Sequence, residues 1–326
     1  MDYLRGSAIF MVILFHSNTL LRFGYDPPES LTAFNSFFGP YRMPLLVFLS
    51  GVIVNMSLRK SFADFTAGKL RNLIWPYAIW TFVYFLTIGS SYSIFDHQLY
   101  GSYLWYLIFV FVYYFISLLA INIPRLPLIL IAFTLAASVP ADIQTIQRFF
   151  FLWGIFMLGE WLYSKRSVNN IAVLHSRWIF LGIIPMIIVS SLAVSGERIL
   201  YETGWIGGVI AGIFVIIAVA IRVERFCDMP FMAALSFLGR KSIVYYTSHV
   251  PVIYITVLAC AGLGVTNPWI AYFIAVIAAF TVGTILVVIA KTPVGAVLFT
   301  FPDLRRRVHR RSLASTPNDS SRHRSL

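Results

Sequence analysis

The chain has 326 residues, of which 59% are hydrophobic and only 12% are charged, and its formal net charge is +12. Its mean hydropathy is +0.81. Soluble domains carry about 25% charged residues, so this composition excludes an ordinary soluble protein. It predicts an all-α fold, a polytopic integral membrane helix bundle.

Apolar stretches long enough to cross a bilayer recur along nearly the whole sequence and predict about ten transmembrane helices. These helices are expected to begin near Ser7, Tyr41, Leu73, Tyr103, Leu126, Phe149, Arg177, Gly204, Ser242 and Pro268. No small-residue cleavage site follows the first stretch, so we expect it to stay in the mature protein as a span.

Ionisable residues mark the first predicted helix. Asp2 and Arg5 open it, and ten almost entirely apolar residues separate Arg5 from His16. Eleven helical steps return the side-chain direction to within about 20°, so Arg5 and His16 share a face. His16 is then about 16 Å deeper than Arg5, near the membrane midplane. Ionisable groups at that depth are costly, so this stripe predicts a functional site.

A second polar stripe begins the ninth predicted helix. Its members recur at helical spacing and are Ser242, Tyr245 or Tyr246, and His249. His249 lies about 10 Å beyond Ser242, at a depth comparable to that of His16. The two histidines are therefore able to meet inside the membrane if the helices pack side by side. A hydrogen bond to a neighbouring helix would also explain either histidine.

Loop charges orient the predicted helices. Basic residues follow the second, sixth and eighth helices, and they are Arg59, Lys60, Lys69, Arg71, Lys165, Arg166, Arg177, Arg222, Arg225, Arg240 and Lys241. The opposite loops carry mostly acidic residues, so the positive-inside rule places both termini in the cytoplasm. We expect a membrane domain over residues 1–295 and a basic, disordered tail over 296–326. The tail is expected to contact anionic membrane lipids and not nucleic acid.

Several segments resemble a known family. They are Asp2-Tyr3-Leu4-Arg5-Gly6 with His16, Arg42-Met43-Pro44-Leu45, and the weaker matches at 69–71, 75–77, 104–107, 154–159 and 238–249. Together they closely resemble the membrane-bound acyltransferase type 3 family. The chain resembles the stand-alone members, which lack the SGNH-hydrolase-like domain that many relatives carry after the helices.

The resemblance implies a ten-helix enzyme of the plasma (inner) membrane. Such enzymes take an acyl group, usually acetyl from cytosolic acetyl-CoA, and deliver it to a hydroxyl of a cell-surface glycan or a lipid-linked sugar. The expected co-substrate is acetyl-CoA and no metal is expected. The sequence leaves the oligomeric state open, a homodimer included.

Acyl transfer from a thioester needs a base for the attacking hydroxyl and cations for the phosphates of CoA. We expect His16 to be the base or a transient acyl carrier, His249 to lie beside it, and Asp2 to orient Arg5. The expected donor-binding residues are Arg5, Lys69, Arg71, Arg240, Lys241 and Ser242. The loop cations among them are equally explained as topology signals.

Acceptor contacts are expected from Arg42, at the outer end of the second helix, and from Trp105 and Tyr106, at the outer end of the fourth. Aromatic residues at that depth also serve as interfacial anchors. Glu160 is predicted to be an interfacial charge. The rival interpretation is a transporter or flippase for a glycan or lipid intermediate, because polar midplane residues also mark substrate pathways.

Overall fold

A computed structural model describes residues 1–88, 103–140, 142–164, 177–223 and 230–301. Every regular element within these ranges is helical, which confirms the predicted all-α class. Several of the helices are strongly apolar, as expected for a membrane protein.

The α-helices run in chain order as α1 (Asp2–Leu21), α2 (Glu29–Val52), α3 (Val54–Leu58), α4 (Phe62–Lys69), α5 (Trp75–Ile88), α6 (Trp105–Leu119), α7 (Arg125–Ser138), α8 (Gln144–Ser164), α9 (Ile183–Val194), α10 (Ile206–Val223), α11 (Pro230–Arg240), α12 (Ser242–Gly262), α13 (Pro268–Ile289) and α14 (Pro293–Ala296). A π-helical turn, Leu70–Ile74, joins α4 to α5. Short 3₁₀ turns, Arg177–Gly182 and Thr203–Trp205, precede α9 and α10.

A helical segment lies at each of the ten predicted positions, but three long helices begin earlier than predicted. α1 begins at Asp2, α2 begins at Glu29, well before Tyr41, and α8 begins at Gln144. Pro40 and Pro44 lie inside α2. Prolines are tolerated within membrane helices where neighbouring groups satisfy the freed carbonyls, so these two do not mark a helix start.

Five helical stretches in the described part of the chain are long and apolar enough to cross a membrane. They are Asp2–Leu21, Glu29–Leu58, Thr203–Val223, Ser242–Gly262 and Pro268–Ile289. Three further apolar helices are shorter, namely Trp105–Leu119, Arg125–Ser138 and Ile179–Val194. The predicted number of about ten spans and the predicted orientation of the termini therefore stay predictions.

Apolar and polar side chains are distributed as expected for a bundle in lipid. Leu119 on α6 is 83% exposed and Ile277 on α13 is 64% exposed, whereas Thr247, Ser248 and His249 on α12 are fully buried. An apolar exterior suits hydrocarbon, and polar groups in the interior must find partners within the protein. The buried polar side chains of α12 therefore require hydrogen-bond partners inside the bundle.

α1 lies at the centre of the helix packing and contacts α2, α11, α12 and α13. Its closest partner is α11, which the sequence analysis had assigned to a basic connection. A Cβ atom on Gly6 would lie 1.8 Å from the carbonyl oxygen of Leu235, and one on Gly239 would lie 1.8 Å from that of Asp2. Only glycine permits such backbone contact, and small residues serve the same purpose in many membrane helix pairs.

A second glycine contact joins α2 to α8. A Cβ atom on Gly51 would lie 2.0 Å from the carbonyl oxygen of Phe156, and one on Gly159 would lie 2.3 Å from that of Phe48. Asn55 on α3 donates a 3.5 Å hydrogen bond to the carbonyl of Glu160 beside this crossing. α2 is therefore held closely against α8.

Residues 297–301, which the sequence analysis placed in the tail, pack against the bundle. The indole nitrogen of Trp75 donates to the carbonyl of Val297 at 2.6 Å, and that of Trp80 donates to the carbonyl of Leu298 at 3.0 Å. The ring of Phe299 is buried and stacks on Trp80 with centroids 5.5 Å apart. Residues 302–326 lie outside the described residues, so the tail itself stays a prediction.

Replacing Gly6 with alanine should destabilise the protein, because the new methyl group overlaps the backbone of α11. We expect the free energy of unfolding of Gly6→Ala to fall by about 1–3 kcal/mol. Gly207→Ala is the matched control, since nothing lies within 4 Å of a Cβ there. That change should be neutral or stabilising by up to about 1 kcal/mol. Thermal unfolding in detergent measures both, and equal midpoints would contradict the contact.

Candidate active site

The rings of His16 and His249 lie side by side, with centroids 5.0 Å apart. α1 and α12 pack together and carry these residues from opposite ends of the sequence. His16 is half-buried, whereas His249 is completely buried. The meeting of the two polar stripes, which the sequence left to helix packing, is therefore present in the structure.

His16 lies in the second half of α1, and its position near the membrane midplane stays a prediction. α1 has 20 residues and starts at Asp2, so His16 lies about 7 Å beyond the middle of the helix and not at its centre. His249 lies before the middle of the 21-residue α12. The two helices are therefore staggered along their length. The histidines meet because α12 begins beside a point part of the way along α1 and not beside its first turn.

The tautomer of His249 follows from its hydrogen bond. Its Nδ1 atom lies 3.1 Å from the carbonyl oxygen of Tyr245. A carbonyl only accepts, so Nδ1 carries the hydrogen and Nε2 keeps its lone pair. Nε2 is buried and has no hydrogen-bond partner among the described residues. Buried polar atoms are usually paired, so this nitrogen is a candidate for a reaction step.

Tyrosine rings surround the buried histidine. The ring centroid of Tyr103 lies 5.4 Å from that of His249, and the centroid of Tyr246 lies 5.9 Å from it. The Tyr246 hydroxyl donates to the carbonyl of Tyr103 at 2.5 Å, and the Tyr103 hydroxyl donates to the carbonyl of Thr247. Sequence reasoning used Tyr103 only as a helix start, and no spacing signal pointed to its place beside the histidines.

Two cavities share Tyr246 in their walls. The first, the Arg5 cavity, has a volume of about 400 Å³, and its polar lining includes Arg5, Ser50, Lys60, Lys69, Tyr106 and Ser242. The second, the Arg42 cavity, has a volume of about 390 Å³, and its lining includes His16, Arg42, Trp105, Gln147, Arg148 and Arg198. Both volumes lie within the range of small-molecule sites.

The structure brings only part of the predicted donor set together. Arg5, Lys69 and Ser242 line the Arg5 cavity. Arg240 and Lys241 are exposed outside its lining, and Arg71 is not part of the lining either. The reason lies in α11, whose final turn packs Gly239 against α1 and leaves the two residues that follow at the surface.

Asp2 does not orient Arg5 through an ion pair. The ion pairs within the described ranges join Arg125 to Glu160 and Arg198 to Glu202. Asp2 contributes its backbone carbonyl to the contact with Gly239 instead. Its expected role in positioning Arg5 therefore has no counterpart in the geometry.

Lys69 is an unusual cation in the Arg5 cavity. Its Nζ atom lies 3.2 Å from the ring centroid of Tyr114 and donates to the hydroxyl of Ser57 at 3.0 Å. Asp64 lines the same cavity but accepts a 2.7 Å hydrogen bond from Ser61. Phe62–Lys69 is not among the candidate spans. Burial, together with the nearby charge of Lys60, lowers the pKa of Lys69 to about 7.

Arg42 lies within α2 and not at its outer end, because that helix begins at Glu29. Its guanidinium carbon lies 3.9 Å from the ring centroid of Phe15, and its Nη1 donates to the carbonyl of Asn35 at 3.1 Å. This position puts a buried arginine in the same cavity as His16. Arg42 therefore stays a candidate for acceptor contact, from within α2 and not from its end.

Trp105 and Tyr106 were expected to act together, but they line different cavities. Trp105 lines the Arg42 cavity, whereas the hydroxyl of Tyr106 lies 2.8 Å from that of Ser50 in the Arg5 cavity. Neighbouring residues on a helix point about 100° apart, so they seldom share a wall. Only Trp105 lies on the side of Arg42.

Arg148, on α8, is a cavity residue that sequence reasoning missed. Its guanidinium carbon lies 4.5 Å from the ring centroid of Trp105. The sequence contained a signal for it, because a charged residue at the start of an apolar stretch predicts a functional site by the criterion that identified His16. Glu160 was also misplaced, since it is 1% exposed and is held by Arg125 and Ser117 at 2.7–2.9 Å.

Comparison with known proteins gave one match. A family model described as an acyltransferase domain matches residues 1–288. No curated protein and no solved structure matched the chain. The matched range contains both histidines and nearly all the residues that line the two cavities.

The lowered pKa of Lys69 predicts an unusually reactive amine. Its rate of reductive methylation should rise with pH through a midpoint near 7, whereas an unperturbed lysine titrates near about 10.4. Mass spectrometry of labelled peptides measures the rate at each site. Lys60→Gln should move the midpoint upward by removing a neighbouring positive charge. A midpoint of Lys69 near 10 would contradict the burial of its ammonium group.

Proposed function

Because this chain belongs to the acyltransferase type 3 family, we propose that it transfers an acetyl group from acetyl-CoA to a hydroxyl of a cell-surface or lipid-linked glycan. The family match supports the acyltransferase class over the transporter interpretation. The observation that carries the proposal is the pair of adjacent histidines, of which His16 lines the Arg42 cavity, together with the Arg5 cavity that borders the same Tyr246.

The proposed site of action is the plasma (inner) membrane, which the chain crosses several times. The end of α1 that carries Arg5 faces the cytosol, where acetyl-CoA is found. This orientation rests on the basic loop residues of the sequence. The Arg42 cavity then receives the acceptor from the other side or from the lipid.

The Arg5 cavity is the proposed donor site. Arg5 and Lys69 bind the phosphates of CoA, since cations without a carboxylate partner in the described chain suit phosphate groups. The thin pantetheine arm runs along α1 for about 16 Å, the rise from Arg5 to His16. It passes Tyr246, which borders both cavities.

His16 is the proposed base because it lines the acceptor cavity, whereas His249 is buried behind it. The acceptor oxygen attacks the thioester carbonyl, its proton passes to His16, the carbon–sulfur bond breaks, and the CoA thiolate takes up that proton from His16, which returns to its neutral form. In a second route the acetyl group rests first on a His16 nitrogen. His249 is the proposed positioning partner of His16 in both routes.

Removing the imidazole of His16 should abolish most of the activity. We expect kcat for CoA release from acetyl-CoA in the presence of acceptor to fall about 10²–10⁴-fold in His16→Ala, the usual contribution of a general base. Thr19→Ala is the matched control, because Thr19 lies on the same helix, its hydroxyl donates to the carbonyl of Phe15 in that helix, and it lines neither cavity as described. Its rate should stay within a few-fold of the native rate.

A thiol assay on purified protein in detergent measures these rates, with thermal unfolding as the check of folding. Full activity of His16→Ala would contradict both routes. Acid-quenched enzyme treated with labelled acetyl-CoA alone separates them, because only the covalent route leaves label on His16. Transport of a glycan without thiol release would favour the transporter interpretation.

A further inference from the structure

We infer that the acceptor carries an oxyanion, a carboxylate or a phosphate, and that Arg42 and Arg148 bind it. The inference rests on the proposed function, because it assigns the Arg42 cavity to the acceptor. It depends on the charges of that cavity, which differ from those expected of a site for a neutral sugar.

Arg148 is placed on aromatic rings and not on a carboxylate. Its guanidinium carbon lies 4.5 Å from the ring centroid of Trp105 and 5.8 Å from that of Tyr201. One nitrogen makes a long 3.4 Å contact with the hydroxyl of Thr145. Its Nε atom is buried without a hydrogen-bond partner within the described ranges. The side chain is therefore held in place while part of its donor capacity is unused.

Arg42 is in a similar position. It is 8% exposed, stacks on Phe15, and makes one hydrogen bond to the described residues, from Nη1 to the carbonyl of Asn35. A guanidinium has five N–H donors. The described chain provides no carboxylate for it, because the ion pairs there involve other arginines.

Arg198, unlike Arg42 and Arg148, is paired with a carboxylate among the described residues. Its Nε lies 2.6 Å from Glu202, which also accepts from Gln147 at 3.2 Å. Glu197 is the carboxylate in the lining of the cavity, and it is exposed and pairs with neither Arg42 nor Arg148. Arg198 and Glu202 cancel and the exposed Glu197 offsets one further charge, so the cavity keeps a net positive charge from Arg42 and Arg148.

A cation withdrawn from water without a counter-ion is costly, and Arg42 is buried while Arg148 is half-buried in the same cavity, so the two call for a ligand that supplies the charge. The planar guanidinium fork matches carboxylate and phosphate oxygens, and stacking on aromatic rings fixes its plane. The cavity volume of about 390 Å³ suits one sugar unit with its acidic group. The acceptor class is therefore an acidic sugar or a sugar phosphate.

Calorimetric binding of three matched probes to the purified full chain in detergent tests the inference without any acyl donor. The probes are glucose, glucuronate and glucose 6-phosphate, which share a ring and differ in charge. At least one charged sugar should bind about tenfold or more tightly than glucose, since hydrogen bonds to charged groups are the stronger ones. The tighter of the two identifies the oxyanion.

Arg148→Gln should remove most of the preference for the charged sugar, and Arg148→Lys should keep part of it, because lysine retains the charge but not the fork. Arg22→Gln is the control, since Arg22 is exposed at the end of α1 outside the cavity lining. It should bind all three probes as the native protein does.

Equal binding of charged and neutral sugars, or no binding of either charged sugar, overturns the inference. So does an Arg148→Gln protein that folds and keeps the full preference, because the arginine would then serve only to pack on Trp105. These outcomes do not bear on the proposed function, because the binding experiment uses no acyl donor and CoA release is measured separately. Conversely, absence of CoA release in the thiol assay defeats the proposed function while the binding data stand.

Discussion

The backbone contact between α1 and α11 is the constraint on which the site depends. Gly6 and Gly239 let the two helices approach until each backbone meets the other, next to Arg5 at the start of α1. With α1 held there, Arg5 opens into one cavity and His16, about 16 Å further along, opens into the other. A single rigid helix thus fixes the distance between the proposed phosphate site and the proposed base.

The polar and charged groups that lack a compensating partner in the described bundle determine the chemistry that we propose for it. His249 is completely buried and its Nε2 lacks a partner within the described ranges, while Lys69 and Arg148 rest on aromatic rings and not on carboxylates. By contrast, Glu160 is fully compensated by Arg125 and serves packing between α7 and α8. Uncompensated groups cluster where substrates are proposed to bind, whereas Arg125 and Glu160 lie outside the lining of both cavities.

Helical periodicity was sufficient to predict that Arg5 and His16 share a face, because that property belongs to one helix. The distance between His16 and His249 was not predictable, since it depends on how α12 is staggered against α1. The start of α2 was missed because prolines inside a buried helix resemble a break, and Arg42 was placed too close to the surface as a result. Trp105 and Tyr106 line different cavities, and predicting this requires the positions of both cavity walls. A local sequence pattern does not contain that information.

We propose that acyl transfer takes place at the histidine pair, with the donor bound in the Arg5 cavity and the acceptor in the Arg42 cavity. A structure of the protein with a non-transferable ketone analogue of acetyl-CoA tests this most directly. The account predicts the nucleotide phosphates against Arg5 and Lys69 and the ketone carbon beside His16, past Tyr246. Phosphates bound instead between Arg42 and Arg148, or a ketone that stays remote from both histidines, would contradict it.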